Sequence, residues 1–159
     1  MIDGYARALT LVAAAGAGLA AGFYFAFSAV VMKALGRLPS AQGVRAMQSI
    51  NDAAPRPWVA TCLGTALVCV VLTVAGFRDL GEPWAAYLIA GSALYLGSVV
   101  VTFAFHIPRN DSLALVDPSS PRAADTWSSY LSSWTWGNHV RALTSVAGAV
   151  AFILALRVR

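Results

Sequence analysis

The segment Ala8–Met32 decides the fold class. Its sequence, ALTLVAAAGAGLAAGFYFAFSAVVM, has no charged residue in 25 positions. As an α-helix rising about 1.5 Å per residue it extends about 37 Å, which is longer than the roughly 30 Å hydrocarbon core of a bilayer. We therefore predict a membrane-spanning helix that crosses with some tilt. A cleavable signal peptide has an apolar stretch of only about 7–15 residues, so the longer run favours a permanent span.

Three further apolar runs follow. Trp58–Phe77 and Trp84–Phe105 contain no charged residue, and the short segment Arg78–Pro83 between them predicts a tight hairpin. The last run, Ala142–Leu156, is too short to cross alone, so we extend its span back to about residue 137. The sequence thus predicts a single all-α domain over residues 1–159. Its expected form is a transmembrane four-helix bundle with spans at about 8–32, 58–77, 84–105 and 137–156.

The composition agrees with a membrane protein. Hydrophobic residues make up 58% of the chain and charged residues 11%, and the mean hydropathy is +0.68. This balance excludes a disordered chain and an ordinary water-soluble domain. The net charge of +4 comes from basic residues near the ends of apolar runs, where they anchor helices at the headgroups. We expect a multi-pass protein of a bacterial inner (plasma) membrane, with the lipid bilayer as its partner and no nucleic acid.

Four spans place the two long connections on one side of the membrane, and their Lys and Arg residues favour the cytoplasmic side. Both connections show helical spacing and predict short interfacial helices. In the first connection Val44, Met47 and Ile50 recur at helical intervals, and residues 126–141 predict an N-terminal extension of the last helix. In the first span, Gly18 and Gly22 form a G-x-x-x-G strip that another helix can approach closely, which is consistent with a homo-oligomer.

Polar side chains follow two of the spans at intervals of three and four residues. Such groups are costly in an apolar medium unless they are paired or surround something polar. We interpret their concentration at one end of the bundle either as a self-satisfied network or as a binding pocket. In the third span the series is Ser92, Tyr95, Thr102 and His106, in the fourth Trp134, Asn138 and Arg141, and near them lie Gln48, Asn51, Asn110 and His139.

Several kinds of site have no support in the sequence. Phosphate-binding loops, dinucleotide-binding glycine motifs, zinc-protease motifs and serine-hydrolase motifs are absent from it. The two cysteines, Cys62 and Cys69, lie inside an apolar run, as small buried thiols do. One metal alternative stays open: His106 and His139 lie on the same side and could hold a haem, or share a copper with Met32 or Met47.

Two motifs carry a resemblance to a known family. The pattern Trp-x-x-x-Asn-His-x-Arg occupies residues 134–141, and the pattern Pro-x-Asn-x-x-Leu occupies residues 108–113. Together with Met47–Asn51 and the G-x-x-x-G strip, they resemble the anthrone oxygenase-like family of small four-helix membrane proteins over nearly the whole chain. In the second motif, Arg109 and Asp111 stand where that family tends to have an aliphatic residue and an Asn pair, which leaves the substrate open.

The resemblance implies the oxidation of an anthrone-type polyketide to an anthraquinone by O2, a monooxygenase-like reaction without a cofactor. Its substrate would be a small hydrophobic aromatic molecule. Such a reaction needs a base, a stabiliser for an anion and a flat apolar slot. A histidine can accept the proton, and fixed donors in a water-poor site stabilise the anion. The expected catalytic residues are His139 as the base, His106 as its substitute, Arg141 and Asn138; the expected substrate-binding residues are Trp134, Trp136, Asn110, Gln48, Asn51 and Tyr95.

Two other functions remain compatible with the sequence. A non-catalytic membrane partner or assembly protein would use the same packing surfaces with an internally bonded polar belt. A haem- or copper-binding redox protein would use the two histidines as ligands.

Overall fold

The architecture comes from a computed structural model that describes residues 2–53 and 56–158, with the side chains of residues 2, 3, 56 and 57 excepted. The described residues form five helices. Four of them are long and apolar enough to cross a membrane, so the chain is a multi-pass integral membrane protein. The helices are α1 (Ile2–Ala26, continued by a π-helical turn Phe27–Val31 and by Met32–Leu35), α2 (Ser40–Asp52), α3 (Arg56–Arg78), α4 (Ala85–Val101, continued by a π-helical turn Thr102–His106 and by Ile107–Ala114) and α5 (Ala123–Val158).

The four long helices pack as a ring. Helix α5 contacts α1 and α4 along much of its length, and α3 closes the ring against α4 and α1. The core between them is built from small and aromatic side chains, among them Ala17, Tyr95 and Phe152, which are fully or almost fully buried. The predicted all-α transmembrane four-helix bundle is confirmed.

Both long connections are largely helical. Helix α2 lies in the first connection, and α5 starts well before its apolar run, as the sequence predicted. Helix α4 also continues past the end of the third apolar run, so residues 115–122 are all that separates α4 from α5. Helix α2 is held by a second core, separate from the one inside the bundle, in which Val44 and Met47 pack with Leu113 and Trp127. This core fixes α2 at the end of the bundle where the polar residues gather.

Close approach of two helices occurs at Gly91 and Gly148 rather than at the G-x-x-x-G strip. A Cβ added to Gly148 would lie 3.0 Å from the Gly91 carbonyl oxygen, so α4 and α5 nearly touch along their backbones. Gly18 and Gly22 have no atom within 4 Å of an added Cβ and face outward. The predicted strip is therefore unused within the described chain, and its role in an oligomer remains a prediction.

Candidate functional site

Asn138 and Arg141 lie one turn apart on the inner face of α5. Asn138 is 0% exposed and Arg141 is 6% exposed. The Arg141 guanidinium Nη2 donates to Asn138 Oδ1 at 2.6 Å, and Asn138 Nδ2 donates to the Tyr24 carbonyl oxygen at 2.6 Å and to Ser28 Oγ at 2.7 Å. We call these two residues the Asn–Arg pair. It joins α5 to α1 deep inside the bundle.

The surroundings of the Arg141 guanidinium are neutral. Its Nη1 donates to Thr102 Oγ1 at 3.3 Å, and its Cζ lies 4.3 Å from the ring centroid of Tyr24 and 5.3 Å from that of Trp134. Aromatic faces attract a cation, but they do not neutralise it. Within the part of the chain that the structure describes, Arg141 Nε is buried and has no hydrogen-bond partner. The site therefore holds a buried positive charge with a free donor.

Two π-helical turns flank the Asn–Arg pair. Ser28, which accepts from Asn138, lies in the turn of α1, and Thr102, which accepts from Arg141, lies in the turn of α4. Each turn is closed by a backbone hydrogen bond between residues five positions apart. In α1 the Met32 N–H donates to the Phe27 carbonyl, and in α4 the Ile107 N–H donates to the Thr102 carbonyl. Such single wide turns inside α-helices occur frequently at functional sites. Here both bring polar groups to the same stretch of α5.

His106 lies in the second π-helical turn and is 1% exposed. Its ring meets the ring of Trp134 edge-on, with centroids 4.9 Å apart. Nδ1 lies 3.4 Å from the carbonyl oxygen of Val101 and Nε2 lies 3.3 Å from that of Trp134. A neutral imidazole has one N–H, so it can donate to only one of these oxygens, whereas the protonated ring can donate to both. In the neutral ring, one of the two nitrogens therefore faces a carbonyl oxygen with no hydrogen between them.

Asn110 is bonded within the chain. Its Oδ1 accepts from the Tyr130 hydroxyl at 2.8 Å and from Trp134 Nε1 at 3.0 Å. The Asn51 side chain lies near the same Tyr130 hydroxyl. Gln48 Nε2 donates to the carbonyl oxygen of Leu113 in the last turn of α4 and to that of Val116 just after the helix, at 2.9 and 3.0 Å. The two polar stretches that the sequence singled out therefore meet at the same end of the bundle.

Three other predicted site residues point elsewhere. Tyr95 is buried in the bundle core, and its hydroxyl donates to the Cys62 carbonyl at 3.2 Å. Trp136 is 68% exposed and His139 is also exposed. Successive helical residues are rotated by about 100°, so both lie outside the face that carries Asn138 and Arg141. The structure does not bring Trp136 and His139 to the Asn–Arg pair. The histidine beside the pair is His106, which the sequence offered as the substitute base.

Three residues that the sequence did not assign to the site contact the Asn–Arg pair: Tyr24, Ser28 and Thr102. Their signal in the sequence was the spacing, since Tyr24 and Ser28 are four residues apart and Thr102 continues the polar series of α4. What the sequence did not show is that the Tyr24 backbone carbonyl, and not its hydroxyl, is the acceptor for Asn138.

A polar groove opens between the end of α4 and the start of α5, with a volume of about 560 Å³. Its floor includes the buried side chains of Leu113 and Tyr130. A second groove of about 410 Å³ runs along the outer face of α1 and α5 and is lined by apolar residues and by Gly18 and Gly22. The polar groove is lined by Arg109, Ser112, Leu113, Asp125, Thr126, Ser129, Tyr130 and Ser133.

The described residues contain no cluster of three or more His, Cys, Asp or Glu side chains that could hold a metal ion. His106 is buried with both ring nitrogens against backbone carbonyls, while His139 is exposed. A haem or copper held by these two histidines remains a prediction.

Comparison with models of protein families gives a match over most of the chain. Residues 44–151, more than half of the chain, fit the profile of a family described as anthrone oxygenase. This range includes most of α2, all of α3 and α4, and most of α5, with His106 and the Asn–Arg pair. No curated protein and no solved structure matches the chain.

Proposed function

Because the chain belongs to the anthrone oxygenase family, we propose that it oxidises a planar aromatic substrate with an acidic methylene group, of the anthrone type, using O2. The observation that carries this proposal is the buried Arg141 guanidinium, whose described hydrogen-bond partners are neutral and whose Nε has none. A buried cation without a partner is costly, and an anionic oxygen at this place would stabilise it. The proposed reaction generates such an oxygen.

The reaction needs no redox group of the protein if the substrate itself supplies the electrons. Removal of one methylene proton gives an enolate, which passes one electron to O2 and leaves a substrate radical and superoxide. Their combination forms a peroxide at the former methylene carbon. Loss of the second hydrogen from that carbon with cleavage of the O–O bond yields the quinone carbonyl and, with the first proton returned, one water. One O2 is consumed for each quinone formed.

In this proposal His106 accepts the first proton. It is buried near the Asn–Arg pair, and both carbonyls beside its ring can accept hydrogen bonds from the protonated form. Arg141 stabilises the enolate oxygen and then the superoxide, because donors held in a water-poor site act without reorganisation. Asn138, whose two N–H groups are bonded to α1, holds the guanidinium in place. The ring of Trp134, which is buried against His106, is the aromatic side chain that would stack on a substrate at this place.

Turnover in a defined membrane tests the proposal. The purified chain in nanodiscs is mixed with anthrone, and O2 uptake and anthraquinone formation are followed together, with empty nanodiscs correcting for spontaneous oxidation. We expect one O2 per quinone at a rate well above the empty control. Replacing the proton acceptor, His106→Gln, should lower kcat by about 100-fold or more.

His139→Gln is the matched control, since it makes the same change at an exposed position of α5, and we expect its kcat within about twofold of the parent. If His139→Gln abolishes turnover while His106→Gln keeps it, the base is His139 and our assignment is wrong. If the parent is no faster than empty nanodiscs, the proposed activity itself is wrong.

A second function, that of a non-catalytic membrane partner, is favoured by one observation. The side-chain amides of Gln48 and Asn138 and the Asn110 Oδ1 are all used in hydrogen bonds within the chain. A polar belt of this kind is sufficient to fix the packing of the helices and needs no substrate. This function predicts no O2 uptake in the same assay and no difference between the two histidine variants.

A further inference from the structure

The polar groove has a single cation in a lining that includes four serine and threonine side chains. Leu113 and Tyr130 form buried parts of its lining, and Arg109 stands at the end of α4. Its volume of about 560 Å³ lies within the usual range of about 300–1,000 Å³ for small-molecule sites. The groove is therefore large enough for a planar molecule of three fused rings.

The guanidinium of Arg109 is held in place but not neutralised. Its Cζ lies 3.4 Å from the ring centroid of Phe105, and its Nη1 donates to the Phe105 carbonyl oxygen at 3.0 Å. In the described part of the chain no carboxylate pairs with it, and this backbone carbonyl is its hydrogen-bond partner. Since a guanidinium has five N–H donors in a fixed plane, most of the Arg109 donors are available to a ligand.

From this arrangement we propose that the polar groove binds a carboxylate group carried on a planar aromatic ligand. The carboxylate accepts two parallel hydrogen bonds from Arg109, and the ring system lies in the groove between the end of α4 and the start of α5. Paired N–H bonds to a carboxylate are strong and directional, so this contact selects acidic aromatics over neutral ones. Asp125, in the first turn of α5, lines the same groove and repels the ligand. It therefore limits the affinity.

The groove adjoins the proposed reaction site through a short series of contacts. Tyr130 of the groove donates to Asn110, Asn110 also accepts from Trp134, and the Trp134 ring contacts His106. The inference rests on the proposed function in one respect: the ligand in the groove is the substrate, an anthrone-type molecule bearing a ring carboxylate, held there before it reaches Arg141. The binding itself requires no turnover and can be measured alone.

The test compares two tricyclic probes of similar shape. Anthraquinone-2-carboxylate carries the acid group, and 2-methylanthraquinone carries a methyl group in its place. Binding to the full chain in nanodiscs of zwitterionic lipid is followed by quenching of tryptophan fluorescence, with empty nanodiscs correcting for partition into lipid. We expect the carboxylate probe to bind about tenfold more tightly than the methyl probe.

Three variants locate the contact. Arg109→Gln should weaken binding of the carboxylate probe about tenfold and leave the methyl probe unchanged. Asp125→Asn should strengthen binding of the carboxylate probe severalfold, because a like charge is removed. Arg122→Gln, which removes an exposed arginine outside the groove, should change neither probe.

The outcomes separate this inference from the proposed function. Equal affinity for both probes, no binding of either, or an Arg122→Gln effect as large as that of Arg109→Gln overturns the inference. Asp125→Asn keeps the test decisive if Arg109→Gln does not fold, since an unchanged affinity in that variant also overturns it. If the chain turns over anthrone without preferring the carboxylate probe, the proposed function stands and the groove assignment fails.

Discussion

Arg141 Nη2 donates a 2.6 Å hydrogen bond to Asn138 Oδ1, one turn before it on α5. The amide of Asn138 donates in turn to Ser28 and to the Tyr24 carbonyl of α1, while Arg141 Nη1 donates to Thr102 of α4. The two residues thus connect three helices. Because one amide both holds α1 and orients the guanidinium, the packing of the bundle and the geometry of the candidate site depend on the same side chain.

Asn138→Ala should therefore destabilise the bundle. It removes two interhelical bonds and leaves the buried Arg141 Nη2 without its acceptor. Hydrogen bonds between membrane helices contribute about 0.6–2 kcal/mol each, and a bond to a charged donor about 1.5–3 kcal/mol. We expect the free energy of unfolding in mixed micelles to fall by about 2–4 kcal/mol. His139→Ala, at the next and exposed position, should change it by less than about 0.5 kcal/mol, and equal losses in both variants would contradict the linking role.

Gly137→Ala tests the close contact between α4 and α5 beside the site. An added Cβ would lie 2.7 Å from Phe105 Cδ1 and 3.0 Å from His106 Cε1, so the histidine ring or the helices must shift. Overpacking of this kind costs about 1–3 kcal/mol, and we expect a lower unfolding free energy together with a change in the His106 ring NMR signals.

Gly18→Ala is the control for that prediction, because its added Cβ meets no atom within 4 Å. In a monomer this variant should be neutral or slightly stabilising, since alanine favours the helix over glycine. If Gly137→Ala is equally neutral and the His106 signals do not move, α4 and α5 are not in the contact described.

The fold could be predicted largely because the bilayer sets the length of an apolar run. Ala8–Met32 is long enough to span, and its helix is present in the structure. Spacing alone also identified α2. The two π-helical turns could not be predicted in this way, because they coincide with contacts to Asn138 and Arg141 of another helix. Contacts that distant in sequence leave no local pattern.

The candidate site was predicted in part. The three- and four-residue spacing placed Trp134, Asn138 and Arg141 on one face, and the structure buries all three. The neighbouring motif residues Trp136 and His139 are exposed, because a motif lists positions in order and does not say which face of the helix each occupies. Burial of a site residue therefore has to be read from the packing of α5 against α1 and α4.

Gln48→Met should loosen the end of the bundle without disturbing its spans. The Gln48 amide donates to the Leu113 carbonyl of α4 and to the Val116 carbonyl just after it, which an unbranched apolar side chain of similar length cannot do. We expect faster hydrogen exchange in α2 and in residues 115–122 and unchanged exchange in α3. Gln42→Met, at an exposed position of the same helix, is the control, and equal exchange in both variants would show that the amide does not hold α2 in place.

Variants of Arg141 distinguish a catalytic from a purely structural function of the Asn–Arg pair. If its guanidinium stabilises an oxygen anion that forms only during the reaction, its loss lowers kcat and leaves KM nearly unchanged. We expect Arg141→Gln to lower kcat for anthrone oxidation by about 100-fold or more. Arg141→Lys keeps the positive charge without the planar set of donors, so its kcat should lie between those of Arg141→Gln and the parent. Circular dichroism and size-exclusion chromatography in detergent check that both variants fold. Folded variants that lose stability but keep the parent kcat would show that Arg141 holds the helices together and takes no part in the reaction.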